Sequence, residues 1–192
     1  MKLTFLVFVL IAASIFNCNA PLRSQQTNFD VNSLSEKGRT AYQLLLTATE
    51  FQESAVGYAG SPSDGFLAFY EISKEKSADA AFKSLLEKSE TAGQLYALIG
   101  LYKTDNAFFR QAVENYRGSK KTIQVFSGCT KIPFEVGEIV DSKGKAGGSL
   151  DILSGAYTTH FLERGEQIED ANNRNNQSQQ TVNKKQKSRK RI

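Results

Sequence analysis

From Phe66 to Tyr116 the apolar residues recur at helical spacing with little interruption, and this pattern constrains the fold more than any other feature of the chain. Phe66, Phe69 and Tyr70 fall on one face, and Ala78, Phe82, Leu85 and Leu86 repeat the spacing. Leu95, Leu98, Ile99 and Tyr102 follow, then Phe109, Ala112, Val113 and Tyr116, both sets at i, i+3, i+4 and i+7. Each stripe must bury against another element, so this half of the chain reads as short helices packed on one another. The punctuation predicts helix starts near Ser61, Ser77, Ser89 and Asp105. The first is the best marked, with Ser61 as N-cap, Pro62 at the first helical position and Asp64 three residues after the cap, close to a capping box.

Those starts are 16, 12 and 16 residues apart, so alternate starts differ by 28. A two-helix period is the mark of stacked hairpins. The stretch TAGQLYALIGLYKTDNAFFRQAVENY resembles a fragment of a HEAT-type helical array, in which one helix of each hairpin carries small residues for close packing, here Ala92, Gly93, Ala97 and Gly100. The resemblance implies a helical surface presented to a partner. An irregular bundle of short helices accounts for the same stripes. Upstream, a longer helix is expected from Ser35 to Ser54, with Leu44, Leu45, Ala48, Phe51 and Ala55 as its buried stripe and Gly57 and Gly60 at its end.

After Gly118 the pattern changes. Thr122 to Phe126 alternates as a strand does, and Ile132 to Val140 reads as one or two more, with Pro133 confining the first to an edge or a strand start. Ser142 to Gly148 reads as a loop, and Ser149 to Tyr157 as a short strand followed by a turn. The expected fold class is α+β and mainly helical: short antiparallel hairpins over residues 35–117, a small and mostly antiparallel sheet or lid over 120–160, and a disordered tail. Residues 35–165 then form a single globular domain.

The N-terminus reads as an export signal. Lys2 supplies a positive start and Leu3 to Phe16 an apolar run broken only by Thr4 and Ser14, too short to span a bilayer. Signal peptidase finds small residues at Cys18 and Ala20, but Pro21 would then follow the cut, where its ring and missing N–H fit a protease poorly. Ile15-Phe16-Asn17-Cys18 resembles the lipobox of bacterial lipoproteins, in the relaxed form that spirochaetes and some other double-membrane bacteria accept. The resemblance implies cleavage before Cys18, acylation of its thiol and attachment to a membrane of the cell envelope, with residues 1–17 as signal and 18–34 as a polar tether. Soluble release into the periplasm or medium is the alternative. Either cut leaves Cys129 as the one free cysteine, with Cys18 acylated or discarded, so no disulfide staples the domain and its apolar core must hold it.

Charge is unevenly placed. The chain carries +4, yet seven basic residues and no acidic ones lie beyond Asp170, which leaves −3 on residues 1–170. An acidic body has no basic face for specific nucleic-acid binding. Residues 166–192 end in a tract with almost nothing to bury and are expected to be disordered. Its basic cluster, Lys184, Lys185, Lys187, Arg189, Lys190 and Arg191, is a candidate site for a polyanion such as lipopolysaccharide, anionic lipid or glycosaminoglycan. A purely solubilising tail is the alternative.

Catalysis has few candidates. A thiol hydrolase would need Cys129, His160 and an orienting carboxylate such as Asp151 in contact, and no spacing brings them together. One His and one free Cys do not make a structural zinc site, and Gly144 to Gly148 lacks the spacing of a phosphate loop. The sequence therefore points to no enzyme, cofactor or metal. It points to an exported, lipid-anchored binding module whose protein partner the chain does not name.

Overall fold

The computed structural model describes residues 29–142, 150–153 and 155–189. Helix α1 (Glu36–Leu46) leads into strand β1 (Glu50–Val56), and four helices follow: α2 (Asp64–Ser73), α3 (Ala78–Lys88), α4 (Thr91–Thr104) and α5 (Asn106–Ala112). The chain then forms a hairpin of β2 (Thr122–Gly128) and β3 (Thr130–Glu135), a short helix α6 (Val136–Val140) and the long helix α7 (Ala156–Arg189). Helices dominate a small three-stranded sheet, so the α+β class and its helical bias stand.

The sheet corrects two expectations. Its order is β1-β2-β3, with β1 parallel to β2 and only the β2–β3 pair antiparallel. Parallel strands need a long crossover, and the helical segment α2–α5 supplies it. The second correction concerns the helix expected from Ser35 to Ser54. It starts as expected, with the Ser35 hydroxyl accepting from the Gly38 amide at 3.0 Å, but stops at Leu46. Phe51 then belongs to β1, where it pairs with Val125 and is fully buried. Leu44, Leu45, Ala48 and Phe51 fit a helical stripe by their spacing, yet the parallel partner lies more than seventy residues away, beyond any local pattern.

Other boundaries shift by smaller steps. The cap of α2 is Ser63, whose hydroxyl accepts from the Phe66 amide at 3.1 Å and donates to the Glu53 carbonyl at 2.7 Å. Ser61 instead bridges Val56 across a tight turn in which Gly57 and Gly60 both take positive φ. Ser77 and Asp105 cap α3 and α5 as expected, and the cap of α4 is Glu90 rather than Ser89. Beyond β3 the chain coils into α6 instead of extending, and among the described residues 150–153 there is no strand. Most of the loop expected at Ser142 to Gly148 lies outside the described residues. The body also begins earlier than residue 35: Phe29 packs its ring 5.5 Å from that of Tyr42, and Leu34 is buried in the core.

Helix α4 lies at the centre. Thr91 to Leu101 are buried around most of its circumference, and the helix touches α2, α3, α5, α1 and β1. Its small residues permit this: a Cβ on Gly93 would meet the Leu45 carbonyl oxygen at 2.2 Å, and one on Gly100 would meet the Phe82 ring at 2.4 Å. Helix α7 closes the core from the other side, with Phe161 edge-on to Phe66 and packed against Phe51, Phe69 and Tyr96. Further along, α7 remains helical through Arg189, but every residue from Asp170 to Gln180 is exposed. The lack of burial after Asp170 agrees with a tail whose composition offers nothing to pack.

Candidate functional site

Helices α1 and α2 pack side by side. The start of α1 meets the end of α2, where the Ser35 hydroxyl and amide both donate to the Glu75 carboxylate, so the two helices run antiparallel. Both put a small residue at the centre of their shared outer face, Ala41 on α1 and Ala68 on α2. Small side chains leave a trough between the helices, and the larger neighbours Leu44 and Leu67 stand up as its walls. Each of these leucines is 39 % exposed, and unlike the other exposed large apolar residues among the described ones, Tyr58 and Ile132, they line one depression together. The open groove has a volume of about 600 Å³, within the size range of binding pockets.

Its rim is charged. Glu36, Asp64 and Glu71 line it together with Lys37 and Thr40. Glu36 and Asp64 occupy the first turns of α1 and α2, where the helix dipole favours a carboxylate. Glu71 is paired with Lys74 at 2.9 Å, whereas Glu36 and Asp64 enter no ion pair among the described residues. The groove is therefore apolar below and net acidic above.

At one end it runs into a smaller cleft of about 210 Å³ against α7, which shares Lys37, Leu67 and Glu71 with it. Here Gly165 lies on the Tyr70 ring, so closely that a Cβ would meet it at 2.2 Å, and the Tyr70 hydroxyl donates to Glu169 at 2.9 Å. Burial, and after it the Glu169 carboxylate, push the Tyr70 phenol up to about 12. A third depression, about 270 Å³ beside α6, is lined by charges already engaged with one another, such as Lys120 with Glu135 at 2.7 Å. The groove between α1 and α2 offers apolar surface with unpaired charge at its edge.

The residues singled out in the sequence fall elsewhere. Cys18 lies outside the described residues, as do Lys190 and Arg191. Lys184, Lys185, Lys187 and Arg189 are carried on the last turns of α7. Cys129 is exposed at the turn between β2 and β3, and His160 is exposed on α7. No hydrogen bond or ion pair joins them among the described residues, and Asp151 accepts from Ser142 at 3.0 Å. Among the described residues no cluster of ligating side chains suits a metal ion, and no helix is long and apolar enough to cross a membrane.

Leu67, Glu36 and the groove itself escaped the sequence reading. By its spacing Leu44 belongs to the buried stripe expected over Ser35 to Ser54, and Leu67 sits between the stripe residues Phe66 and Phe69. For Leu67 the signal is an aliphatic residue out of phase with its own helix, whereas Leu44 and Glu36 carry none in the sequence. Comparison with protein-family models, curated proteins and solved structures gives no match.

Proposed function

We propose that this chain is an exported protein of the bacterial cell envelope, held on a membrane through an acylated Cys18, and that it works there as a non-enzymatic binding module. The observation that carries the binding half is the groove between α1 and α2, where two half-exposed leucines face each other above a floor of alanines. An isolated exposed leucine has no particular meaning, but a facing pair lining one trough is the arrangement expected of an interaction surface. The anchoring half is supported by the apolar run before Cys18 and by the Ile15-Phe16-Asn17-Cys18 stretch. Residues 19–28 join that cysteine to the first described residue and are long enough to hold the body off a bilayer surface.

Acylation should make attachment effectively permanent, because the chains of a mature lipoprotein contribute about 0.8 kcal/mol per buried CH₂. Cys18→Ser should therefore move the protein from the detergent phase to the aqueous phase and abolish incorporation of labelled palmitate. A serine variant that still partitions into detergent and still takes up label would end the lipoprotein reading. The mass of the native mature N-terminus distinguishes a cut before Cys18 from one after Ala20.

A further inference from the structure

We infer that the groove between α1 and α2 receives a positively charged helical segment of a partner protein, about three turns long, which seats aliphatic side chains between Leu44 and Leu67 and sets basic side chains against Glu36 and Asp64. The inference rests on the binding-module reading and names the partner's chemistry. Three features of the groove select this occupant. The first is shape. Two antiparallel helices of 11 and 10 residues make a straight trough about 15 Å long, at 1.5 Å per residue, which matches about three turns of a third helix.

The second is the floor. Ala41 and Ala68 allow a third helix to approach closely, and Leu44 and Leu67 stand where anchors spaced i, i+3 or i+4, and i+7 on that helix would enter, the pattern of helix-in-groove recognition. The third is charge. Glu36 and Asp64 lie toward opposite ends of the trough with no ion-pair partner among the described residues, and against them stands Lys37. A basic helix gains two counter-ions there. An anionic membrane surface would instead be repelled by the same carboxylates, and an acidic helix would bring like charges together.

Binding of a fluorescent helical peptide, about 14 residues of leucine and lysine in heptad order, tests this on the purified full protein as its host processes it. The peptide should bind in a saturable manner. Leu44→Ser with Leu67→Ser should weaken it at least tenfold, and Glu36→Lys with Asp64→Lys should weaken it similarly while admitting the same peptide with glutamate in place of lysine. Should the serine pair disturb folding, Thr40→Trp fills the groove with both leucines left in place and should block binding alone. Equal binding of the lysine and glutamate peptides to the unaltered protein, or binding that none of these variants changes, overturns the proposal. If an unlabelled peptide of residues 174–192 competes as well as the leucine–lysine peptide, the occupant is this chain's own basic segment, and a separate partner is overturned. None of these outcomes alters the partition of Cys18→Ser, so failure at the groove and failure of the anchored reading are told apart.

Discussion

The Tyr96 hydroxyl accepts from the Gln52 amide at 2.9 Å and donates to the Gln52 carbonyl at 2.8 Å, so a side chain from the middle of α4 satisfies both backbone groups of a residue in β1. It does so just before the β1–β2 register shifts between Gln52 and Val56. Burial raises its phenol well above the ordinary range, so the hydroxyl stays protonated and able to donate. Tyr96→Phe keeps the ring tilted against Phe51 with centroids 4.7 Å apart but strands both groups of Gln52. The expected cost is about 1–3 kcal/mol, read as a lower midpoint of thermal or urea denaturation; an unchanged midpoint would show that the strand does not depend on this tie. Nothing in the sequence marks Tyr96 for this role. Leu98 and Phe109, by contrast, were legible as stripe centres and are 0 % and 2 % exposed. Periodicity identifies which side chains are buried. It is silent about which buried hydroxyl meets which distant amide, because that depends on the sheet register.

Elements were legible in proportion to how local their causes are. The stripes and caps of α3, α4 and α5 lie within a few residues of one another, and those helices appear where the spacing puts them. Strand β1 and the docked part of α7 are made by distant partners. Phe161 buries among Phe51, Phe66 and Phe69, and Tyr70 fixes the next turns of the helix through Gly165 and Glu169. The Tyr70 phenol has a folded value of about 12, above its ordinary value of 10. For a group so raised, the stabilisation is fully present below the unfolded pKa and is lost as pH rises through the folded one. Docking of α7 should therefore weaken between about pH 10 and 12, where a phenolate would face Glu169 and, nearby, Glu166 and Asp170. Protection of the amides along Leu162 to Glu169, measured as exchange relative to the intrinsic rate at each pH, should fall over that window. Tyr70→Phe should flatten the pH dependence, and an identical alkaline response in that variant would rule out this contact as its source.

At the scale of the whole molecule, two kinds of surface are separated along one chain. The body up to Asp170 is acidic and carries the groove, whereas the seven basic residues beyond it belong to a segment whose first part is exposed throughout. This separation was legible because charge counting needs no structure. The groove was not, since it arises where two alanines from different helices meet. The six basic residues between Lys184 and Arg191 can then meet a polyanion without any demand on the core. Deleting Lys184 to Ile192 should leave the melting temperature unchanged, because the exposed turns before it already contribute no burial. The same deletion should weaken adsorption to heparin, lipopolysaccharide and anionic vesicles. For the intact protein that adsorption should fall steeply with salt, as the Debye length shrinks from about 10 Å at 0.1 M to about 3 Å at 1 M. If full-length and shortened proteins adsorb alike to all three at low salt, the basic segment is a solubilising extension and the polyanion reading is wrong.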